Sequence, residues 1–218
     1  MDGNGRWAKE KGLSRLEGHK QGVNVVREII TYCSKINIKY LTLFTFSEEN
    51  WKRPKKEVIG LMNLLVSSLK KETESLKKNN IKFSVIGDLK KIDIYTRSKI
   101  NQTIEITESN DGLNLNLAIS YGSRQEIIQA INQIIEEKKS QISMDEFSDF
   151  LYTEKLPDPD LLIRTGKEKR ISNFLLWQIP YTEIFFSNSF WPDFNENELN
   201  NILKEYTTIE RRYGVIND

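Results

Sequence analysis

Five short runs of β-branched and aromatic residues recur along this chain, each separated from the next by a stretch long enough for an amphipathic helix. The clearest is Tyr40-Leu41-Thr42-Leu43-Phe44-Thr45-Phe46, apolar enough to predict a strand buried on both faces. Ile81–Gly87, Leu113–Ser120, Leu161–Arg164 and Glu183–Ser187 have the same character. Helical patterning fills His19–Lys35, Pro54–Lys78, Lys91–Ser109 and Ser123–Lys139. Pro54 suits the first helical position, where its missing N–H would have no partner anyway. A shorter helix follows the capping-box spacing of Ser143 and Glu146, and a last one covers Glu196–Arg212. Such alternation predicts an α/β fold: a single domain over residues 1–218 with a central, mostly parallel β-sheet flanked by helices.

Composition narrows the function. The 218 residues carry 32 Lys+Arg against 31 Asp+Glu, a formal net charge of +1. That balance argues against a broad nucleic-acid surface. One cysteine, Cys33, excludes an intrachain disulfide framework and a cysteine zinc cluster, and points to a reducing, cytoplasmic location. No apolar run reaches the ~18 residues of a membrane span.

Four of the five expected strands run into a dense polar turn: Ser47-Glu48-Glu49-Asn50-Trp51, Gly87-Asp88, Tyr121-Gly122-Ser123-Arg124 and Thr165-Gly166. In a parallel sheet these turns share the C-terminal edge, where open α/β sheets bind ligands. The opening Met1-Asp2-Gly3-Asn4-Gly5-Arg6-Trp7 offers flexible backbone amides and a guanidinium to an anion, with Arg15 and His19 following. Asp2 adds a hard oxygen suited to magnesium. The same residues would serve equally as a plain Gly/Asn turn, and they match neither the phosphate-loop nor the dinucleotide pattern. A second cationic turn, Arg164 to Asn173, reads as a pocket for a second anion. Glu183 is either paired to an arginine or a metal ligand. Neither a serine elbow nor a Cys–His arrangement is present, so no side-chain nucleophile is implied. Val58, Ile59, Leu61, Met62, Leu64, Leu65, Val66 and Leu69 cover more than one face of the second long helix. That breadth suits burial on two sides or the wall of an apolar cavity.

Together these blocks resemble the cis-prenyltransferase family, most closely its bacterial branch that makes undecaprenyl diphosphate. The matching segments are Met1–Ala8, Gly18–Gly22, Thr42–Pro54, Asn116–Arg124, Asp160–Trp177 and Tyr181–Asp193, spanning nearly the whole chain. The resemblance implies Mg²⁺-dependent, sequential cis-condensation of isopentenyl diphosphate onto an allylic diphosphate primer. The product would be a long-chain polyprenyl diphosphate, grown in an apolar tunnel between sheet and helices. It implies that Asp2 and Asn50 are catalytic, that Gly3, Asn4, Gly5, Arg6 and Arg15 hold the allylic diphosphate, that Trp7 binds substrate, and that His19 is a substrate-binding residue of the catalytic pocket. Ser47, Glu49, Trp51, Arg53, Arg164, Arg170 and Ser172 would then serve isopentenyl diphosphate. Asp2 and Glu183 would be the metal-associated acids, and Leu113 and Thr45 would bear on product length.

The resemblance further implies a homodimer in which Arg211-Arg212-Tyr213-Gly214 reach the neighbouring site, and a protein either free in the cytoplasm or peripheral at the membrane that its product enters. Family members carry a short apolar strand before the opening signature, which this sequence lacks. Lys167 stands where a second glycine is usual, and Lys169 where several bacterial members carry histidine. A non-catalytic partner subunit of the same fold is the alternative, but such subunits lack the aspartate and arginines that Asp2, Arg164 and Arg170 provide.

Overall fold

The computed structural model describes residues 1–211. The chain divides into two compact units: one of Met1–Ile29, Asp158–Ile171 and the chain from Trp177, the other of Ile30–Pro157 with Ser172–Leu176. The α/β class holds and every strand pairing is parallel. The strands are shared between a three-stranded and a two-stranded sheet, where the sequence predicted one.

In the second unit β1 (Tyr40–Ser47), β2 (Lys82–Ile86) and β3 (Asn114–Tyr121) pair in the order β1-β3-β2. Between and after them run α3 (Lys55–Lys78), α4 (Ile94–Thr107), α5 (Ser123–Glu136) and the short α6 (Met144–Ser148). The expectation of a doubly buried strand is met by β3, which is buried from Leu115 to Tyr121, and not by β1, where only Leu43 and Phe46 are buried. Position explains the exchange, because β3 is central and β1 lies at the edge of its sheet. Buried Asn116 is tolerated because it hydrogen-bonds across the register to Thr42 and Ser84 on either side. A bulge at Thr45 breaks the pairing between Phe44 and Phe46, and Thr45 is exposed.

Helix α3 begins one residue later than expected, with Pro54 as its cap at ψ 135°. Its buried residues Met62, Val66, Leu69, Thr73 and Leu76 form one stripe at helical spacing. Val58, Leu61 and Leu65 make a second, half-buried stripe beside it, while Ile59 is 60% exposed. The breadth seen in sequence is therefore one core face with a partly open flank.

In the first unit β4 (Leu161–Arg164) pairs with β5 (Glu183–Phe186), and α7 spans Glu196–Tyr206, ending before the expected Arg212. Helix α2 (Arg15–Lys35) starts four residues before the expected His19. The opening signature, expected as a turn, contains a helix, α1 (Asn4–Glu10). Asn-Gly is a poor helix former, so α1 depends on packing. Its first residue lies so close to α2 that a Cβ on Gly18 would stand 2.1 Å from the Asn4 carbonyl oxygen. Gly18→Ala must push α1 away, at a cost of about 1–3 kcal/mol. Thermal unfolding followed by circular dichroism should show a loss of about 4–10 °C; an unchanged midpoint would show that α1 does not depend on this contact.

Candidate active site

In the first unit the site grows from the turn before α1. Gly3 adopts φ 101°, and a Cβ there would meet the Phe190 ring at 2.5 Å, so only glycine fits. This turn sets the Asp2 carboxylate beside the C-terminal end of β4. Its Oδ1 accepts from the Gly3 N–H at 2.6 Å, and its Oδ2 pairs with Arg164 at 2.9 Å and Arg6 at 3.2 Å. The Asp2 main chain is clamped by buried Thr165, whose hydroxyl accepts from the Asp2 N–H at 2.9 Å and donates to the Asp2 carbonyl at 3.0 Å.

Charges alternate outward from there. Arg6 reaches Glu168 Oε1 at 3.0 Å, and Glu168 Oε2 accepts from Arg170 at 2.6 Å. The other terminal nitrogen of Arg164 donates to the Arg170 carbonyl. Arg164, Asp2, Arg6, Glu168 and Arg170 thus form one ladder with an excess of positive charge. The Arg15 guanidinium lies against Gly5, and His19 follows one turn along α2 on the same side.

Burial pushes the Asp2 carboxyl up, but the Arg164 hydrogen bond, the Gly3 N–H and the Arg6 charge outweigh it and hold it below the usual carboxylate value. A depressed value means the pairing is fully present above the ordinary carboxylate range and fades only as pH falls through the lowered value. Asp2 is 40% exposed while Arg164 is 13% exposed, so the carboxylate stays approachable and its anchor does not. The first-turn N–H groups of Asn4, Gly5 and Arg6 have no acceptor within α1. Forked guanidinium groups and backbone donors around one approachable carboxylate can hold a diphosphate.

Placement adds detail at four of the expected residues. The Asn4 side chain is buried and turned inward: its Nδ2 donates to the Met1 carbonyl, and its Oδ1 is packed over Gly22. Only its backbone is left to meet an anion. The Trp7 indole N–H is engaged by Asp193 at 2.7 Å. Glu183 pairs in register with Leu161 at the start of the two-stranded sheet, whereas Arg164, which holds Asp2, pairs with Phe186 at its far end. Three strand steps, about 10 Å along the strand, separate the pairing positions of Glu183 and Phe186. Arg211 is held by Asp160, the Tyr181 carbonyl and the Tyr206 hydroxyl of its own chain, while Arg212, Tyr213 and Gly214 lie outside the described residues.

The second unit carries the other group. After β1 the chain enters a 3₁₀ turn, Glu48–Lys52. Asn50 is fixed by accepting the Ser47 N–H at 3.1 Å. Trp51 stands edge-on to Phe46, with ring centres 4.9 Å apart, and its indole donates to Ser120 Oγ at 2.9 Å. Ser120, next to last in β3, has φ 51°, a left-handed conformation that a non-glycine residue rarely adopts. Glu48 pairs with Lys91, and Arg53 with Glu57 at 3.1 Å. Burial raises the Glu49 carboxyl, but hydrogen bonds, led by the Asn173 amide, bring it below its ordinary value. Ser172 belongs to this unit. The Cys33 thiol is buried and pushed up to about 11, so it is no nucleophile.

Comparison with known proteins settles the lineage. The sequence profile of the prenyltransferase family described as undecaprenyl diphosphate synthase matches residues 1–214. The chain belongs to this prenyltransferase family. The isoprenyl transferase of Clostridium tetani is 47% identical, with 98% of this chain and 86% of that protein covered. The (2E,6E)-farnesyl-diphosphate specific ditrans,polycis-undecaprenyl-diphosphate synthase of Pasteurella multocida is also 47% identical, with 98% and 92% covered. Lavandulyl diphosphate synthase from Lavandula x intermedia, solved with dimethylallyl diphosphate, superposes with a TM-score of 0.93 at 35% identity, covering 99% of this chain and 95% of that one. The protein is therefore a prenyl-transferring enzyme. No described helix is long and apolar enough to cross a membrane.

In this prenyltransferase Thr165, Glu168 and Asn173 lie in the turn that the sequence marks as an anion pocket, without individual roles there. Glu168 was legible as the one acid inside a run of cations. What Thr165 and Asn173 each hold is visible only in the structure. Arg164 holds Asp2 and the Arg170 carbonyl in two directions at once, which a lysine ammonium does not reproduce. Arg164→Lys should weaken inorganic pyrophosphate binding, measured by titration calorimetry, by about ten-fold or more; a change under two-fold would show the fork to be dispensable.

Proposed function

We propose that this enzyme condenses isopentenyl diphosphate, unit by unit and in cis, onto an allylic diphosphate primer to give a long-chain polyprenyl diphosphate. The observation that carries this reading is the Asp2 carboxylate, held approachable among Arg164, Arg6 and the Glu168–Arg170 pair. The alkene of isopentenyl diphosphate supplies the electrons for the new carbon–carbon bond, which is why no serine or cysteine nucleophile is needed. Negative charge grows on the departing diphosphate, where Arg6, Arg15 and the first-turn amides of α1 stabilise it. Arg164, Arg170 and Ser172 serve isopentenyl diphosphate, while Ser47, Asn50 and Trp51 orient its reacting end.

Magnesium fits this site in a limited way. No group of three or more His, Cys, Asp or Glu among the described residues could hold an ion by itself. Asp2 offers one hard oxygen, so the remaining ligands would be diphosphate oxygens and water, as magnesium commonly takes them. When bound, the ion supplies charge neutralisation at the leaving diphosphate. Lys169 is unsuited to ligate it while protonated.

The names of the relatives support undecaprenyl diphosphate as product and farnesyl diphosphate as primer. A homodimer is part of the same reading, supported by Ile128, Ile131 and Ile135, exposed along one face of α5. The non-catalytic alternative has nothing in its favour, since the Asp2–Arg164 pair is assembled.

Asp2→Ala should lower turnover by on the order of 10³-fold or more while the protein stays folded, as several kcal/mol of leaving-group stabilisation are lost. Incorporation of labelled isopentenyl diphosphate into butanol-extractable product measures it, and a tenth of normal turnover would sink the role. Omitting magnesium from the same assay tests the metal.

The half-buried stripe Val58, Leu61 and Leu65 of α3 supports an apolar tunnel along the three-stranded sheet. Thr45 lies near the C-terminal end of β1, whereas Leu113 precedes β3 at the opposite end. Each buried CH₂ of the product gains about 0.8 kcal/mol, which holds intermediates between additions. Leu113→Ala should therefore lengthen the product, and Thr45→Trp should shorten it, on reverse-phase chromatography. Unchanged products in both variants would leave that stripe a purely structural face.

A further inference from the structure

The segment Ser172–Leu176 is held in an unusual backbone conformation. Ser172, Asn173 and Leu175 have φ of 49°, 62° and 49°, the left-handed region that side chains generally avoid. Asn173 is the residue best suited to such a conformation, and it supplies much of what holds the segment. Its carbonyl accepts the Ser123 N–H at 2.8 Å, and its Oδ1 accepts the Arg124 N–H at 2.9 Å. Its Nδ2 donates to Glu49 Oε1 and to Gln125 Oε1, each at 3.0 Å. Two oxygens face one end of the amide and one N–H faces the other, so the partners dictate which way it points. Beside it, Phe174 stacks on Phe44 with centres 4.4 Å apart, and the Leu176 N–H donates to Ser123 Oγ at 2.9 Å.

The Glu49 contact joins this segment to the turn that carries Asn50 and Trp51, across 124 positions of sequence. We infer that Asn173 is a positioning residue: through Glu49 it sets the Glu48–Lys52 turn and Ser172 in one geometry for isopentenyl diphosphate. This rests on the proposed condensation, although the contact itself can be tested without it. A merely local role would have Asn173 only cap the start of α5 through the Arg124 N–H.

The polarity of the contact separates the two roles. Asn173→Asp keeps the shape, the acceptor for Arg124 and tolerance of positive φ, but sets a carboxylate against the Glu49 carboxylate. Gln125 can turn its amide to donate, so Glu49 is the partner left in conflict. Adding Glu49→Gln restores a donor–acceptor pair with its direction reversed. Glu49→Gln alone leaves Asn173 an oxygen to donate to.

Steady-state kinetics with both substrates and amide hydrogen exchange over residues 48–53 test the inference on the full chain. Asn173→Asp should raise the KM for isopentenyl diphosphate about ten-fold, as expected for one charge-assisted hydrogen bond, and change the primer KM by less than about two-fold. Exchange over 48–53 should quicken by a similar factor, and the Asn173→Asp/Glu49→Gln pair should recover that exchange rate to within about three-fold. No recovery in the double variant, or equal loss for both substrates with faster exchange throughout the protein, would overturn the inference and leave Asn173 a general support of the fold. Wild-type protein that does not consume isopentenyl diphosphate would instead overturn the proposed function, and the exchange measurement would still decide the Asn173–Glu49 contact.

Discussion

A carboxylate two residues into the chain, bound to an arginine at the end of a strand more than 160 residues later, organises the first unit. The Asp2–Arg164 pair is not chiefly a source of stability. With Asp2 40% exposed, solvent screens much of its attraction. Its value lies in direction. Arg164 is nearly buried and therefore rigid, and it holds both the Asp2 carboxylate and the Arg170 carbonyl, so the turn after β4 and the turn before α1 share one anchor. Gly3 makes the approach sterically possible, and Thr165 clamps the main chain.

The same ladder explains how a cluster of cations can persist before an anionic substrate arrives. Arg6 and Arg170 would repel each other if both faced the same space unpartnered. Glu168 lies between them and serves both. On the proposed function, a diphosphate would take over contacts that already exist in kind, so the arginines would need little rearrangement to receive it. Preorganised donors of this sort favour the charge that develops as a leaving group departs. In the second unit hydrogen bonds do the corresponding work: Asn50 is held by the Ser47 amide, Trp51 by Ser120, and Glu49 by Asn173.

Much of the fold was legible because period and turn chemistry are local properties. The runs at Tyr40, Leu113 and Leu161 became strands within a residue or two of their expected bounds, and Ser143 and Glu146 formed the expected capping box. Misreadings occurred where a neighbour decided. The run at Tyr40 is as apolar as any, yet β1 is an edge strand and half open, while β3 took the central place. Helix α1 was missed because Asn4-Gly5 disfavours a helix, and its close seat on Gly18 and Gly22 of α2 compensates.

For the site, the residue types carried the chemistry and the register carried the arrangement. Asp2, Arg6, Arg164 and Arg170 could be marked from sequence, because a glycine-rich opening and a cationic turn suit anions whatever the fold. The family was legible for the same reason, as its motifs are contiguous. Contiguity says nothing about distance between motifs. That Glu183 pairs at the opposite end of the β4–β5 sheet from Arg164, that Asn4 turns inward, and that Asn173 reaches Glu49 depend on strand register and on backbone conformations with positive φ. Those are set by packing between segments far apart in the chain, and a side chain's partners follow from them rather than from its own identity.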